Sequence, residues 1–379
     1  MRLLEFQAKK LFSEYGIPIP RGILVRSQDG LRNLRFPVIL KAQVPVGGRG
    51  KAGVIRTAKQ AEEAAAIVEE LLNSNVKGYP VQALLAEEQV EIKQELYLAL
   101  LIDKLANLPL IMVSATGGVD IEEVAKKGPE KIVKKHLQPS VGLQDYIVRY
   151  LGKSMGLGGY LDEFRSIVNQ VYAIFYDYDA TLVEINPLAV ASNGLVALDA
   201  KILLDDKAAY RHDDLFARLQ KEQKQLVKSG KSVAEQLAEE RDITYVPLDG
   251  NVGMISDGAG TGMLTLDLIQ DAGGQAANFC ELGGLAGPES MQQVLEVVHA
   301  NPRVKVILIG LIGGLTRMDE MADGILHYLE QHGKSVPLIV RMCGTQEDVG
   351  KAKLRTVGIE TFEDLEIVVR TAVKLAKES

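Results

Sequence analysis

Lys41-Ala-Gln-Val-Pro-Val-Gly-Gly-Arg-Gly-Lys-Ala-Gly53 follows the apolar run Val38-Ile-Leu40 and turns into a loop with four glycines in seven residues. Glycines let backbone amides come close to an anion, and Lys41, Arg49 and Lys51 would neutralise it. The same composition also suits a solvated surface hairpin. The rest of the chain has to separate the two.

Working outward, the first half reads as strands with few helices between them. A helix is expected over 5–15, stopped by Gly16 and Pro18. Strands are expected at 22–25, 38–43, 81–86, 95–102 and 110–114, then at 181–190 and 195–199. Helices are expected over 59–73, capped by Thr57 and Gln60 as a capping box, and over 161–176. This pattern points to an α+β domain with antiparallel pairing. Residues 205–245 are highly charged and read as a helical connector. From about residue 249 apolar strands alternate with amphipathic helices, which is the pattern of a doubly wound parallel sheet. Glycine clusters at 258–262, 283–287 and 313–314 fall where strands end and helices begin. Ligands of such sheets bind there. The spacing Gly258-x-Gly-x-Gly262 fails the dinucleotide fingerprint, so a nicotinamide dehydrogenase is not expected. The expected division is residues 1–240 and 241–379.

Composition excludes several classes. The chain has 379 residues, 47% of them hydrophobic and 25% charged, with a net charge of −7. Its basic residues are scattered, which argues against a nucleic-acid partner. The longest apolar run, 306–315, is too short to span a bilayer, and the first ten residues carry charges where a signal peptide needs an apolar core. No membrane association is expected. Two cysteines, Cys280 and Cys343, give no disulfide framework and fit a reducing cytoplasm.

Glu184-Ile-Asn-Pro-Leu188 precedes Asp199 by a short connection. Two adjacent antiparallel strands would set Asn186 beside Asp199. An amide oxygen with one carboxylate suits a magnesium–nucleotide site better than a metal-only cage. Alternatively, Asn186-Pro187 ends a strand and Asp199 lies on the surface. A cationic glycine loop and two metal ligands are the parts that phosphoryl transfer needs.

These motifs resemble those of the β subunits of succinyl-CoA synthetases (succinate–CoA ligases). Leu4-Glu-Phe-Gln-Ala-Lys-Lys-Leu-Phe12, Gly47-Gly-Arg-Gly-Lys-Ala-Gly53, Glu95-Leu-Tyr97, Gly117-Gly-Val-Asp-Ile-Glu122, Glu184-Ile-Asn-Pro-Leu188 and Leu248-Asp-Gly-Asn251 occur in the family's order and spacing. The resemblance implies an ATP-grasp domain followed by a flavodoxin-like CoA-ligase domain. It further implies that succinyl-CoA, ADP and phosphate interconvert with succinate, CoA and ATP in the tricarboxylic acid cycle. A phosphohistidine on a separate α subunit would carry the phosphoryl group, and that subunit would hold most of the CoA site. The assembly would be αβ or α2β2.

By the same resemblance, Lys41, Gly48, Arg49 and Gly50 match phosphate contacts. Glu87 and Glu95 match adenosine-side positions, Val90 matches a nucleotide contact, and Pro20 matches the residue that goes with adenine over guanine. Asn186 and Asp199 match Mg2+ ligands. Glu184 matches a carboxylate that meets the phosphohistidine, although an ordinary salt bridge would also explain it. Gly314, Leu315 and Thr316 would offer backbone amides at a helix N-terminus, with Arg317 as an added cation.

The chain departs from the family at the second domain. Ser256-Asp257-Gly-Ala-Gly260 replaces a Val-Asn-Gly-Ala-Gly pattern, Gly310-Leu-Ile-Gly-Gly314 replaces Asn-Ile-Phe-Gly-Gly, and Phe279-Cys-Glu-Leu-Gly-Gly-Leu-Ala286 replaces Phe-Leu-Asp-Val-Gly-Gly-Gly-Ala. Asp257 would repel a carboxylate, or accept a hydrogen bond from a hydroxylated or amino-bearing acid. Three alternatives to a succinate enzyme follow: a ligase for a different acid, a stand-alone ATP-grasp carboxylate ligase, and a non-catalytic scaffold.

Overall fold

In a computed structural model the chain forms two compact units, 1–230 and 231–379. The structure describes residues 1–119, 121–227, 232–283 and 286–378. Asp120 of the expected motif 117–122, Gly284 and Leu285 of the glycine cluster 283–287, and residues 228–231 of the expected connector lie outside the described residues.

Among its described residues the first unit holds two large antiparallel sheets and a two-stranded ribbon, Asn75–Val76 with Tyr79–Pro80. One has four strands in the order Gly22–Val25, Leu84–Glu88, Val38–Ala42 and Ile55–Ala58. Helix Ala61–Leu72 buries Ala64, Ile67, Val68 and Leu71 in the same core as Val25, Val38 and Leu40, at helical spacing. The other sheet runs Gly194–Ala197, Ala180–Ala191, Ile92–Asp103, Leu108–Ser114 and Ile132–His136, with Lys201–Leu204 also paired to Ala180–Ala191. Helices Glu5–Glu14 and Leu161–Asp177 pack into its core through Leu11 and Phe12 and through Phe164, Val168 and Val171.

The second unit is one six-stranded sheet. Its order is Thr244–Pro247, Asn278–Glu281, Val252–Ser256, Val306–Gly313, Leu338–Gly344 and Thr361–Phe362. Only the first strand is antiparallel. The five parallel strands, numbered along the chain, lie in the order 2-1-3-4-5, the flavodoxin-like arrangement. Two cores cover its faces: Ile255, Ile307 and Ile309 enter one, and Met254, Val306 and Leu308 the other, as strand alternation requires. Among the described residues no helix is long and apolar enough to cross a membrane.

Three expectations need correction. Helix Ala61–Leu72 has Gln60 at its N-cap without a side-chain cap bond, because Thr57 is held in strand Ile55–Ala58. The 205–245 segment is helical, as expected, but it packs as well as connects. Helix Asp213–Leu226 buries Phe216 and Leu219 in the first unit's core, while helix Val233–Glu240 buries Ala234 and Ala238 within the second unit. The surface of these helices is charged, but one face is apolar. The helices Asp145–Ser154 and Leu365–Glu378 were not anticipated, although both bury regularly spaced apolar residues.

Candidate functional site

The 41–53 loop leaves strand Val38–Ala42 and returns as strand Ile55–Ala58, so it joins two neighbours of one sheet. Its own amides fold it: Ala52 N–H donates to Gly48 O at 3.0 Å, and Val54 N–H to Arg49 O at 3.2 Å. Gly48 has φ +80°, which a residue with a side chain adopts only under strain. The loop borders a cleft of about 800 Å³. Lys41, Arg49, Glu95, Glu184, Asn186 and Asp199 all line it, together with Gly48 and Gly50.

The sheet explains how the acidic side arrives there. Strand Ala180–Ala191 shifts register against strand Ile92–Asp103 between Ile185 and Leu188. Such bulges re-aim side chains, and Asn186-Pro187 sits in this one. On its other side Leu188 pairs with Ala197, and Leu198 N–H donates to Pro187 O at 3.0 Å. That register sets Asn186 opposite Asp199. Asp199 itself lies two residues past the strand's end at Ala197. Asn186 Oδ1 accepts from Gly118 N–H at 2.8 Å, and its Nδ2 donates to Val119 O at 2.9 Å, so the amide's orientation is set. Gly118 (φ +70°) runs so close to Glu95 that a Cβ there would meet Oε2 at 2.3 Å.

Below the cleft is a buried ion network. Lys41 Nζ lies 2.9 Å from Glu5 Oε1, 2.7 Å from Glu87 Oε2 and 2.5 Å from Leu198 O. Arg49 reaches Glu5 Oε2 at 2.5 Å and both oxygens of Asp199 at 2.9 and 3.1 Å. Lys9 lies 2.5 Å from Glu87 Oε1, 3.1 Å from Glu5 Oε1 and 2.7 Å from Leu198 O. Burial would push the Glu5 carboxyl up, but Lys41, Arg49 and Lys9 outweigh it and hold it well below the usual carboxylate range. For Asp199, burial and then Glu5 raise the carboxyl, against the pull of Arg49, Lys41 and Lys9.

Glu184 faces the same cleft with Tyr97 Oη at 3.4 Å and its cross-strand partner Lys201 Nζ at 3.6 Å. Burial, and then the Glu184 charge, raises the Tyr97 hydroxyl, which stays a donor. Among the described residues no histidine lines the cleft.

Placement separates the expected site residues. The phosphate-side set and the metal pair converge on one cleft. Glu87 sends its carboxylate inward, 2% exposed, and lines no part of the cleft. That leaves its backbone for any adenosine contact. Pro20 and Val90 come to the same end of the four-stranded sheet by register, since Gly22 pairs with Glu87 and Glu88 N–H donates to Arg21 O at 2.9 Å. Neither lines the cleft. Sequence reasoning missed Arg2, Glu5 and Lys201, which do. The i,i+4 spacing of Glu5 and Lys9 in the opening helix was the available signal.

The donor chemistry of the cleft suits Mg2+ bound together with a nucleotide. Asn186 and Asp199 offer hard oxygens on adjacent backbone segments, and a burial-raised carboxylate gains from a further cation. Among the described residues no group of three or more His, Cys, Asp or Glu side chains could hold a metal alone.

In the second unit, Asp257 directly follows the first parallel strand, and Ile312 lies on the third. Between these two strands the sheet order reverses, the place where such folds take ligands. Asp257 Oδ2 accepts from Ile312 N–H at 2.7 Å, and Thr261 Oγ1 lies 2.9 Å from Oδ1. The carboxylate thus ties the two strand ends together. Helix Met318–His332 follows 313–317 as expected. Its first amide, Met318 N–H, donates to Thr345 O at 2.9 Å. Leu315 is exposed and Thr316 buried. Gly314 O accepts from Thr345 Oγ1 at 3.0 Å. Arg317 pairs with Asp319 at 2.8 Å and Glu320 at 3.2 Å, so its charge is already matched within its own turn.

Residues 2–190 match the ATP-grasp domain family, and residues 255–375 match the CoA-ligase family. The ADP-forming succinate–CoA ligase subunit β of Ignicoccus hospitalis is 42% identical over 382 residues, covering 100% of both chains. That of Pyrobaculum arsenaticum is 42% identical over 386 residues, again covering 100% of both. That of Chloroflexus aurantiacus is 42% identical over 361 residues, 93% of each. The solved ATP citrate lyase of Methanothrix soehngenii, in complex with citrate and coenzyme A, shares the fold: TM-score 0.75, 22% identity, 98% of this chain and 99% of that one.

Proposed function

This chain belongs to the family of ADP-forming succinate–CoA ligase β subunits, and from that premise we propose that its first-unit cleft is the nucleotide site of the enzyme. As a β subunit it works with an α partner. The pair interconverts succinyl-CoA, ADP and phosphate with succinate, CoA and ATP. The observation that carries the site assignment is the convergence of Lys41, Arg49, Asn186, Asp199 and Glu184 on one cleft from three separate segments.

Each residue has a role that follows from its chemistry. Lys41 and Arg49 neutralise the phosphates, and the 48–50 backbone lets them approach closely. Glu95 bounds the cleft on the adenosine side. Asn186 and Asp199 would hold Mg2+, which would supply charge neutralisation to the phosphates. Glu184 accepts a hydrogen bond from the imidazole that delivers the phosphoryl group and holds it in line. Among the described residues no histidine lines the cleft, and that imidazole would come from the partner, as a phosphohistidine of the α subunit. Within the second unit, Asp257 and residues 314–317 would serve the acid and phosphate. Two free cysteines fit a reducing cytoplasm.

The test is reconstitution. The chain co-produced with an α-type subunit is expected to make ATP from succinyl-CoA, ADP and phosphate, and the Lys41→Met variant to lose ADP binding in calorimetry. ATP-dependent ligation by this chain alone would overturn the division of labour. Unchanged ADP binding in Lys41→Met would overturn the site.

A further inference from the structure

Lys9 and Glu87 lie behind Lys41, on the side away from the cleft. Lys9 is 2% exposed and Glu87 2%, and neither lines the cleft. Lys9 comes from the opening helix and Glu87 from the central part of the four-stranded sheet, yet their charged atoms are 2.5 Å apart. Lys9 and Lys41 share three acceptors: Glu5, Glu87 and the Leu198 carbonyl. The six groups Lys9, Lys41, Arg49, Glu5, Glu87 and Asp199 carry three positive and three negative charges.

The sharing has a consequence for binding. To grip a phosphate, Lys41 must give up some of its contact with Glu5 and Glu87. A buried carboxylate left without a partner carries a large desolvation cost. Lys9 removes that cost, because it stays on both carboxylates whichever way Lys41 points. We propose that Lys9, with Glu87 as its fixed partner, is a positioning residue of the nucleotide site: a standing counter-charge that frees Lys41 for the phosphates without touching the nucleotide itself. This rests on the assignment of Lys41 as a phosphate contact. It also gives the Glu87 side chain a role distinct from adenosine recognition.

The test compares Lys9→Met, Lys9→Met/Glu87→Gln and Lys41→Met in the full chain by calorimetry, with ADP plus Mg2+ and with adenosine as the phosphate-free probe. Lys9→Met leaves the network one negative charge in excess. It is expected to raise the Kd for ADP about tenfold while leaving adenosine unaffected. The double variant restores neutrality with nearly the same volume, and is expected to return the Kd to within about twofold of the parent. A purely structural role for Lys9 would move both ligands alike, and neutralising Glu87 would not rescue it. An ADP affinity unchanged in Lys9→Met, or a double variant as weak as Lys41→Met, overturns the proposal. Should Lys9→Met fail to fold, the double variant alone decides by the same comparison. Unchanged ADP binding in Lys41→Met instead sinks the phosphate-site assignment on which the proposal stands.

Discussion

Arg49 donates through Nη2 to both carboxylate oxygens of Asp199, at 2.9 and 3.1 Å, so a phosphate-binding cation and a metal ligand of the proposed site hold each other. Metal and phosphate must part this pair together. Asp199→Asn releases the Nη2 end of Arg49 while Glu5 still holds Nη1, so metal-free ADP should bind about threefold to tenfold tighter than to the parent. The same variant should lose the enhancement that Mg2+ brings. Calorimetry with and without a chelator measures both. Weaker metal-free binding in the variant would count against the pairing.

Glu184 lies within reach of Tyr97 and Lys201 and faces the cleft. Glu184→Gln keeps the shape and removes the charge that orients an imidazolium. A loss of about a hundredfold in kcat is expected, with ADP affinity unchanged. Steady-state kinetics of the reconstituted enzyme, together with calorimetry, separates the two quantities. A raised Kd with intact kcat would make Glu184 a nucleotide contact instead.

The Glu5 carboxyl is depressed by Lys41, Arg49 and Lys9 against the effect of burial. A depressed acid stabilises the fold above its unfolded pKa and loses that contribution as pH falls toward the folded value. The parent should therefore weaken progressively on acidification below about pH 4.5. Glu5→Gln should cost about 3 kcal/mol at pH 7, since it leaves buried cations short of a partner, and should flatten the acid slope. Denaturant midpoints at several pH values decide, and parallel slopes in the two proteins would rule Glu5 out as the source.

Asp257 bridges the ends of two parallel strands through Ile312 N–H. Asp257→Asn keeps an acceptor for that amide and removes one negative charge. The KM for succinate should fall about threefold if the carboxylate faces the acid. An unchanged KM would mean that Asp257 serves only to tie the strands.

Cys280 is fully buried, and its thiol is pushed up to about 12, first by burial and then by Glu281. Cys343 is half-buried. Alkylation at pH 8 should modify one thiol in the folded chain and two in denaturant, because only the thiolate reacts. Two fast thiols in the folded chain would contradict the burial of Cys280.

Much of this was legible along the chain. The second unit's strands announced themselves as short apolar runs before glycine and helix, since both faces of that sheet are covered. Strand Val252–Ser256 falls where it was expected. The Asn186–Asp199 adjacency followed from two strands and a short turn, and the register bears it out. Helix Asp145–Ser154 was hidden because its apolar positions, Ile147, Val148 and Leu151, are few and set among charges. The 205–245 segment misled for a related reason: its polar majority masked the single face that packs.

The sequence by itself determined the local grammar, the family, and the residue types needed to bind a phosphate and a hard cation. Glycine, strand period and charge type are properties of short stretches, and they survive without the fold. The tertiary structure decided how those charges are matched. Glu5, Lys9, Lys41, Glu87 and Asp199 come from four segments as much as 194 residues apart, and only burial brings them within 3.1 Å of one another's partners. Coulomb energy in a protein depends on distance in space and on exclusion of water. Neither is written in the order of the residues, so the direction in which Glu87 points and the pairing of Arg49 with Asp199 emerged only from the folded chain.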